Sequence, residues 1–222
     1  MASLDLWSPQ YAAARRNVRR RFEASLSEEL EADKEVGLAV VKSDGLAIIK
    51  LSAELRADKE VGLAAVTQNA WAVQHLAAEL KADREVASVA VTKHGRLMQF
   101  LPRHFRTDKE IGLAVVTQDG MAITYLSNEL KADKEIGLAA VRQNHGAFDE
   151  LSADLMGDKK IGLAVVAQNG SAAQYLSVEL RADKEVGLAA VRQCGLAVCH
   201  LSVDLKADKE VGFAAVTQDA WA

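Results

Sequence analysis

A chain of 222 residues that is 50% hydrophobic and 26% charged carries enough apolar material for a packed core and too much for intrinsic disorder. Its formal net charge of −4 excludes the uniformly basic surface on which sequence-independent phosphate binding depends. No apolar run approaches the ~18 residues of a membrane span, and two cysteines, Cys194 and Cys199, are too few for a disulfide framework, so a reducing intracellular compartment is expected, the cytoplasm by default or an organelle.

Residues 1–25 read as an N-terminal basic cap or arm. Ser8-Pro9 has the form of an N-cap followed by proline at the first helical position, and Ser8 stands 25 residues before Asp33. Arg15, Arg16, Arg19, Arg20 and Arg21 would supply a solvated face while Tyr11, Val18 and Phe22 turn inward, as expected of a degenerate terminal repeat. An Arg-rich, acid-poor start is also the composition of an organellar transit peptide, a reading that the retained Met1 opposes.

From residue 26 to 222 the chain is an array. Asp33, Asp58, Asp83, Asp108, Asp133, Asp158, Asp183 and Asp208 keep a step of 25 residues, and repeats begin at Leu26, Leu51, Leu76, Leu101, Leu126, Leu151, Leu176 and Leu201, the last incomplete. A fixed period of this length marks units too small to bury a core alone, which stack on their neighbours. The expected fold is all-α, an α-solenoid of about eight 25-residue two-helix repeats with the degenerate N-terminal cap.

Within each repeat the aspartate caps a first helix, since its carboxylate can accept from free N–H groups, and Glu60 in the first turn suits the positive end of the helix dipole. That helix is expected to begin near Lys59 and to stop at pairs such as Asp44-Gly45, Asp119-Gly120 and Asn169-Gly170, with the glycine in the left-handed conformation. It is apolar nearly all round, which predicts an inner layer touched on both sides. The glycine column Gly37, Gly62, Gly112, Gly137, Gly162, Gly187 and Gly212 points to close approach of neighbouring helices. A second, amphipathic helix is predicted over residues 71–82, lining one face with Ala72, Val73, Leu76 and Leu80. Ala222 arrives where the second helix of the eighth repeat should begin, so the face of the helix over 209–218 awaits either more of a longer chain or a second subunit.

The recurring ELRADKEVGLAAVTQNAWA, with its variants ELKADKEIGLAAVRQN and ELRADKEVGLAAVRQCG, resembles the short α-helical repeat known as domain of unknown function 4116, which occurs mainly in multi-copy proteins of algae and other protists. The resemblance covers residues 26–222 and implies a helical-repeat fold. It implies no catalytic or binding residue.

Partner recognition is therefore sought where the repeats differ. Three columns at the start of the second helix vary most: Leu46, Trp71, Arg96, Met121, Gly146, Ser171, Leu196 and Trp221; Ile49, Gln74, Gln99, Thr124, Asp149, Gln174 and Cys199; and Lys50, His75, Phe100, Tyr125, Glu150, Tyr175 and His200. Solvent-exposed drift is the plain alternative. The third and fourth repeats depart furthest, crowding Lys93, His94, Arg96, Arg103, His104 and Arg106 around Met98, Phe100, Pro102 and Phe105. This cluster suits an anionic or acidic partner, and Pro102 alternatively suits a hinge. The partner-binding candidates are thus Lys93, His94, Arg96, Phe100, Arg103, His104, Phe105 and Arg106, together with Trp71, His75, Met121, Tyr125 and Tyr175.

Catalytic signals are weak. Cys194, Cys199 and His200 straddle a turn at a spacing that matches no usual zinc pattern, the five histidines lie in separate repeats, and no glycine-rich phosphate loop occurs. No cofactor or metal is expected. The function expected is that of a non-enzymatic scaffold binding protein, as a linker or accessory subunit of a larger assembly, organellar or photosynthetic. The rival is a modular nucleic-acid reader, disfavoured by the acidic residues in every unit.

Overall fold

The computed structural model describes residues 31–219; the basic cap over 1–25, Leu26, Leu30 and Trp221 lie outside them. The described elements are all helical. They fall into two compact units, one within residues 31–80 and one within 81–219, each an all-α solenoid built from the same repeat.

One repeat begins at its aspartate. Asp133 is extended, and its Oδ1 accepts from Glu135 N at 2.9 Å and Ile136 N at 3.2 Å, opening the ten-residue helix Lys134–Gln143. Each of the eight aspartates caps a helix in this manner, as expected. The long helices are not enclosed all round: Val61, Gly62, Ala65 and Val66 are buried, whereas Leu63 and Ala64 are half-exposed. Leu113 and Ala114 likewise line a shallow open groove with Thr92, Glu110, Thr117 and Gln118.

The second helix is divided. Where a continuous helix was expected over 71–82, a six-residue 3-10 helix, Ala70–His75, is followed by an extended residue, Leu76 (φ −69°, ψ 158°), and then a short α-turn, Ala78–Lys81. The break has two causes. The residue after the extended leucine is a serine in most repeats, and its hydroxyl caps the next turn, as Ser52 Oγ accepts from Leu55 N at 3.3 Å. Its own N–H reaches a carbonyl in the preceding repeat, Ser127 N to Arg106 O at 2.9 Å and Ser152 N to Lys131 O at 3.1 Å. A continuous helix would leave both the cap and this link between repeats unmade.

The glycine expectations also change in mechanism. No described residue has a positive φ, so the glycine after each Asp or Asn is not a left-handed stop. Instead Asp119 is extended (φ −144°) and caps the following 3-10 helix through Met121 N at 3.1 Å. Gly120 is pressed against the next repeat, where an added Cβ would stand 2.4 Å from Ala140 O. In the long helices, the space a Cβ would take is filled first by the leucines of the following arm, Leu80 Cδ1 lying 2.7 Å away at Gly62, and at Gly112 also by the neighbouring helix through Ile136 Cδ1 at 3.1 Å. On the last helix, Lys209–Asp219, Phe213 and Val216 are open to solvent, and Gly212 faces nothing within 4 Å.

Candidate functional site: the face of the 3-10 helices

A 3-10 helix has three residues per turn, so its positions i and i+3 eclipse one another. The third and fourth residues of the six-residue segments turn into the core: Ala72 and Val73, Leu97 and Met98, Ala122 and Ile123, Ala147 and Phe148, Ala172 and Ala173 are all buried, as are Ile48 and Ala197, while Ala47 and Val198 are half-buried. The second and fifth therefore share the outward side. They form the pairs Leu46/Ile49, Trp71/Gln74, Arg96/Gln99, Met121/Thr124, Gly146/Asp149, Ser171/Gln174 and Leu196/Cys199, and none of these residues is buried. Two of the most variable sequence columns thus become one surface, with two side chains per repeat. Successive segments stack, Gly45–Lys50 on Ala70–His75 in the first unit; in the second, Gly95–Phe100, Gly120–Tyr125 and His145–Glu150 stack in order, and Gly170–Tyr175 packs on Gly195–His200.

A glutamine clamp holds this stack, and sequence reasoning missed it. The Gln143 side chain accepts from Gly120 N at 2.6 Å and donates to Gln118 O at 3.4 Å; Gln193 does the same to Gly170 N at 2.6 Å and Gln168 O at 3.2 Å, as does Gln68 to Gly45 N and Ser43 O. The available signal was the register of each glutamine 23 residues after a glycine. Ala70 and His145 occupy the glycine's place in their repeats; beside His145, Gln168 Nε2 donates instead to Val141 O at 2.8 Å and to Arg142 O, and Asn169 Nδ2 lies 3.2 Å from His145 Nε2.

A second ladder runs through the caps. Lys109 Nζ lies 2.8 Å from Asp133 and 3.0 Å from Glu135, Lys159 pairs in the same way with Asp183 and Glu185, and Arg84 pairs with Asp108. Asp58, Asp108, Asp133, Asp158, Asp183 and Asp208 therefore each cap their own helix and bind the preceding repeat. The hydrogen bond from that cation, aided by the capped N–H groups and opposed by partial burial, holds the carboxyls of Asp108, Asp133, Asp158 and Asp183 below the ordinary aspartate range. Because their folded values are lowered, their stabilisation is complete above the unfolded value of about 3.9 and disappears as pH falls through the lower folded values. The melting temperature is accordingly expected to fall steeply below about pH 4. A melting temperature by circular dichroism that stays level down to about pH 2 would contradict the ladder's role.

The basic cluster is partly a surface and partly a core. Lys93, His94, Arg96, Arg103 and His104 are exposed, and Arg96 Nε pairs with Asp119 Oδ2 at 3.0 Å. Phe100 is half-buried. Arg106 is half-buried as well, with its Nε out of solvent and unpartnered. Phe105 is not a contact residue: it is 3% exposed and takes the arm position that leucine holds elsewhere, its ring beside His104 at 4.2 Å. Pro102 makes no new hinge, because it sits in the break common to the repeats with φ −55°, close to the −57° of Ser52. What it removes is the serine's N–H and hydroxyl, and the turn after it, Arg103–Thr107, is 3-10 in place of α.

Of the remaining candidates, Trp71 is exposed and His75 half-buried in the first unit, while in the second Met121 and Tyr125 are half-buried and Tyr175 is exposed. Cys194 and Cys199 are free thiols, and Cys194 Sγ lies 3.5 Å from Ser171 Oγ. Among the described residues, no three His, Cys, Asp or Glu side chains gather into a metal-holding group, and no helix is long and apolar enough to cross a membrane.

No curated protein and no solved structure matches the chain. The family model for Domain of unknown function (DUF4116) matches residues 33–81, 83–131, 108–156 and 158–206. Each match opens on a capping aspartate, Asp33, Asp83, Asp108 or Asp158, and closes at the end of an arm two repeats later. The family's unit is thus a pair of repeats, the smallest piece that contains the clamp, the ion pair and the arm leucines against their glycine. Matched over most of its length by that unit, the chain belongs to the DUF4116 family.

Proposed function

We propose that this protein is a non-enzymatic helical-repeat scaffold that binds a protein partner along the face of its 3-10 helices, as a linker or accessory subunit of a larger assembly in a reducing compartment. The observation that carries this reading is the eclipsed pair: within one segment, the two outward positions vary while the two inward ones stay apolar. The recurrent polar groups, capping Asp, Lys, Gln and Ser, are engaged in joining repeats. The free specificity of the chain therefore resides in its outward pairs, two in the first unit and five in the second, an arrangement suited within a unit to an extended partner.

The same face would serve a modular nucleic-acid reader, but the exposed surface of the arms is acidic. The exposed second residue of each arm is Glu54 or Glu79 in the first unit and His104, Glu129, Asp154, Glu179 or Asp204 in the second, so within each unit the arms repel phosphate, His104 excepted. A photo-crosslinking residue placed at Met121 or Gln174, with Thr117 on a long helix as control, is expected to trap a defined protein from the two face positions alone. Trapped RNA, or equal trapping from all three, would overturn the proposal.

A further inference from the structure

The outward pairs of the second unit lose their bulk near its centre. Their second positions run Arg96, Met121, Gly146, Ser171 and Leu196, so the two smallest residues stand between Met121 and Leu196, the latter 67% exposed. In the same two repeats His145 takes the glycine's place, and the segments His145–Glu150 and Gly170–Tyr175 do not stack as closely as their neighbours. The result is a notch in the face. Its fifth positions are Asp149 and Gln174, both exposed. Among the outward pairs of this unit the charged residues are Arg96 and Asp149. Arg96 Nε is bound to Asp119 at 3.0 Å, and Glu150, which follows Asp149, is bound to Lys131 at 3.0 Å; Asp149 itself has no ion-pair partner among the described residues.

We infer that the notch receives a basic side chain, and that the partner is an extended protein segment in which a Lys or Arg stands between two apolar residues. The inference rests on the reading of the 3-10 face as a protein-binding surface and names the chemistry of its partner. The bare Gly146 and the short Ser171 leave room for a long side chain to lie on the face, with its cationic end at the Asp149 carboxylate and the Gln174 amide oxygen as a second acceptor. A neutral or acidic side chain in that place would desolvate the carboxylate without pairing it. Met121 and Leu196 are the apolar contacts at either end. At about 10 Å per packed layer, the three repeat steps between them span about 30 Å, or about nine residues of extended chain. The Asp149 carboxylate also repels a phosphate backbone, which separates this partner from RNA.

Selection of phage-displayed random peptides of about twelve residues, enough to cover that span, against the full chain tests this. Enriched peptides are expected to carry one Lys or Arg flanked by apolar residues. Their affinity, read by fluorescence anisotropy, is expected to fall about tenfold or more in Asp149→Lys, which sets like charges together. Gly146→Leu, which fills the notch without changing its charge, is expected to weaken the same peptides. Asp154→Lys, on the acidic arm, changes the net charge equally and is expected to alter affinity by less than about twofold. Circular dichroism melts confirm that each variant is folded. No enrichment, enrichment of peptides without a basic residue, or equal losses in Asp149→Lys and Asp154→Lys would overturn the proposal. The scaffold reading answers separately to the crosslinks from Met121 and Gln174: a protein trapped there, while the peptides fail, removes the notch alone, whereas trapped RNA removes both.

Discussion

Gly120→Val is expected to pull apart the stack at its own repeat, at a cost of about 1 to 3 kcal/mol or more. A Cβ there would stand 2.4 Å from Ala140 O and 2.9 Å from Gln143 Oε1. The carbonyl belongs to the middle of the helix Lys134–Gln143, so no change of rotamer relieves the overlap. Shifting the segment away also breaks the 2.6 Å bond from Gly120 N to Gln143, leaving a part-buried donor without its acceptor. Gly157→Ala makes the contrast: the atom nearest its Cβ is Asp154 O at 3.6 Å and its φ is −87°, so alanine fits and is expected to stabilise by about 0.4 to 1 kcal/mol through the unfolded state. Because a repeat array can open locally, hydrogen exchange of residues 120–125 and 134–143 is read alongside the urea midpoint. Equal midpoints and unchanged exchange in the two variants would mean that the approach at Gly120 is not tight. His145 shows how the chain accommodates a side chain at this column: its glutamine is redirected to Val141 O, and the segments His145–Glu150 and Gly170–Tyr175 do not stack as closely as their neighbours.

What could be read in advance, and what could not, follows from how far each cause lies along the chain. The capping aspartates were legible because a cap acts within three residues, as Asp133 does on Ile136 N. The outward columns were legible because side chains free of packing are free to vary. The divided second helix was not, since Ala72, Val73, Leu76 and Leu80 fit one helical face whether or not the backbone is continuous between them. Its signal was the serine column, Ser52, Ser127, Ser152, Ser177 and Ser202, which reads as a set of N-caps in the middle of the presumed helix. Asp119-Gly120 is spelled like a left-handed helix stop, and what requires its glycine is a carbonyl 20 residues further on. Phe105 drew attention by sitting among charges, although its register, 25 residues before Leu130, already placed it with the core.

The glycines within the long helices yield the other large effect. Leu130→Ala is expected to cost about 2 to 5 kcal/mol by opening a cavity, against about 0.5 to 2 kcal/mol for loss of the neighbouring cap in Asp133→Ala. Leu130 is buried and its Cδ1 would lie 2.9 Å from a Cβ at Gly112. Gly112→Ala alone is therefore a contest between about 1 kcal/mol of helix propensity and an overlap with Leu130 and with Ile136 Cδ1 at 3.1 Å. In the Leu130→Ala background the first overlap is gone and the new methyl enters the vacated space, so the same substitution is expected to recover part of the loss. The coupling between the two sites is then expected to be about 0.5 to 3 kcal/mol, measured as a double-mutant cycle in denaturant. Additive costs would show that the glycine is held by something other than leucine volume. Coupled costs would explain why glycine recurs in the long helices despite its poor propensity: stacking constrains the positions that carry glycine and leucine, and leaves the outward pairs, from Leu46/Ile49 to Leu196/Cys199, free to differ.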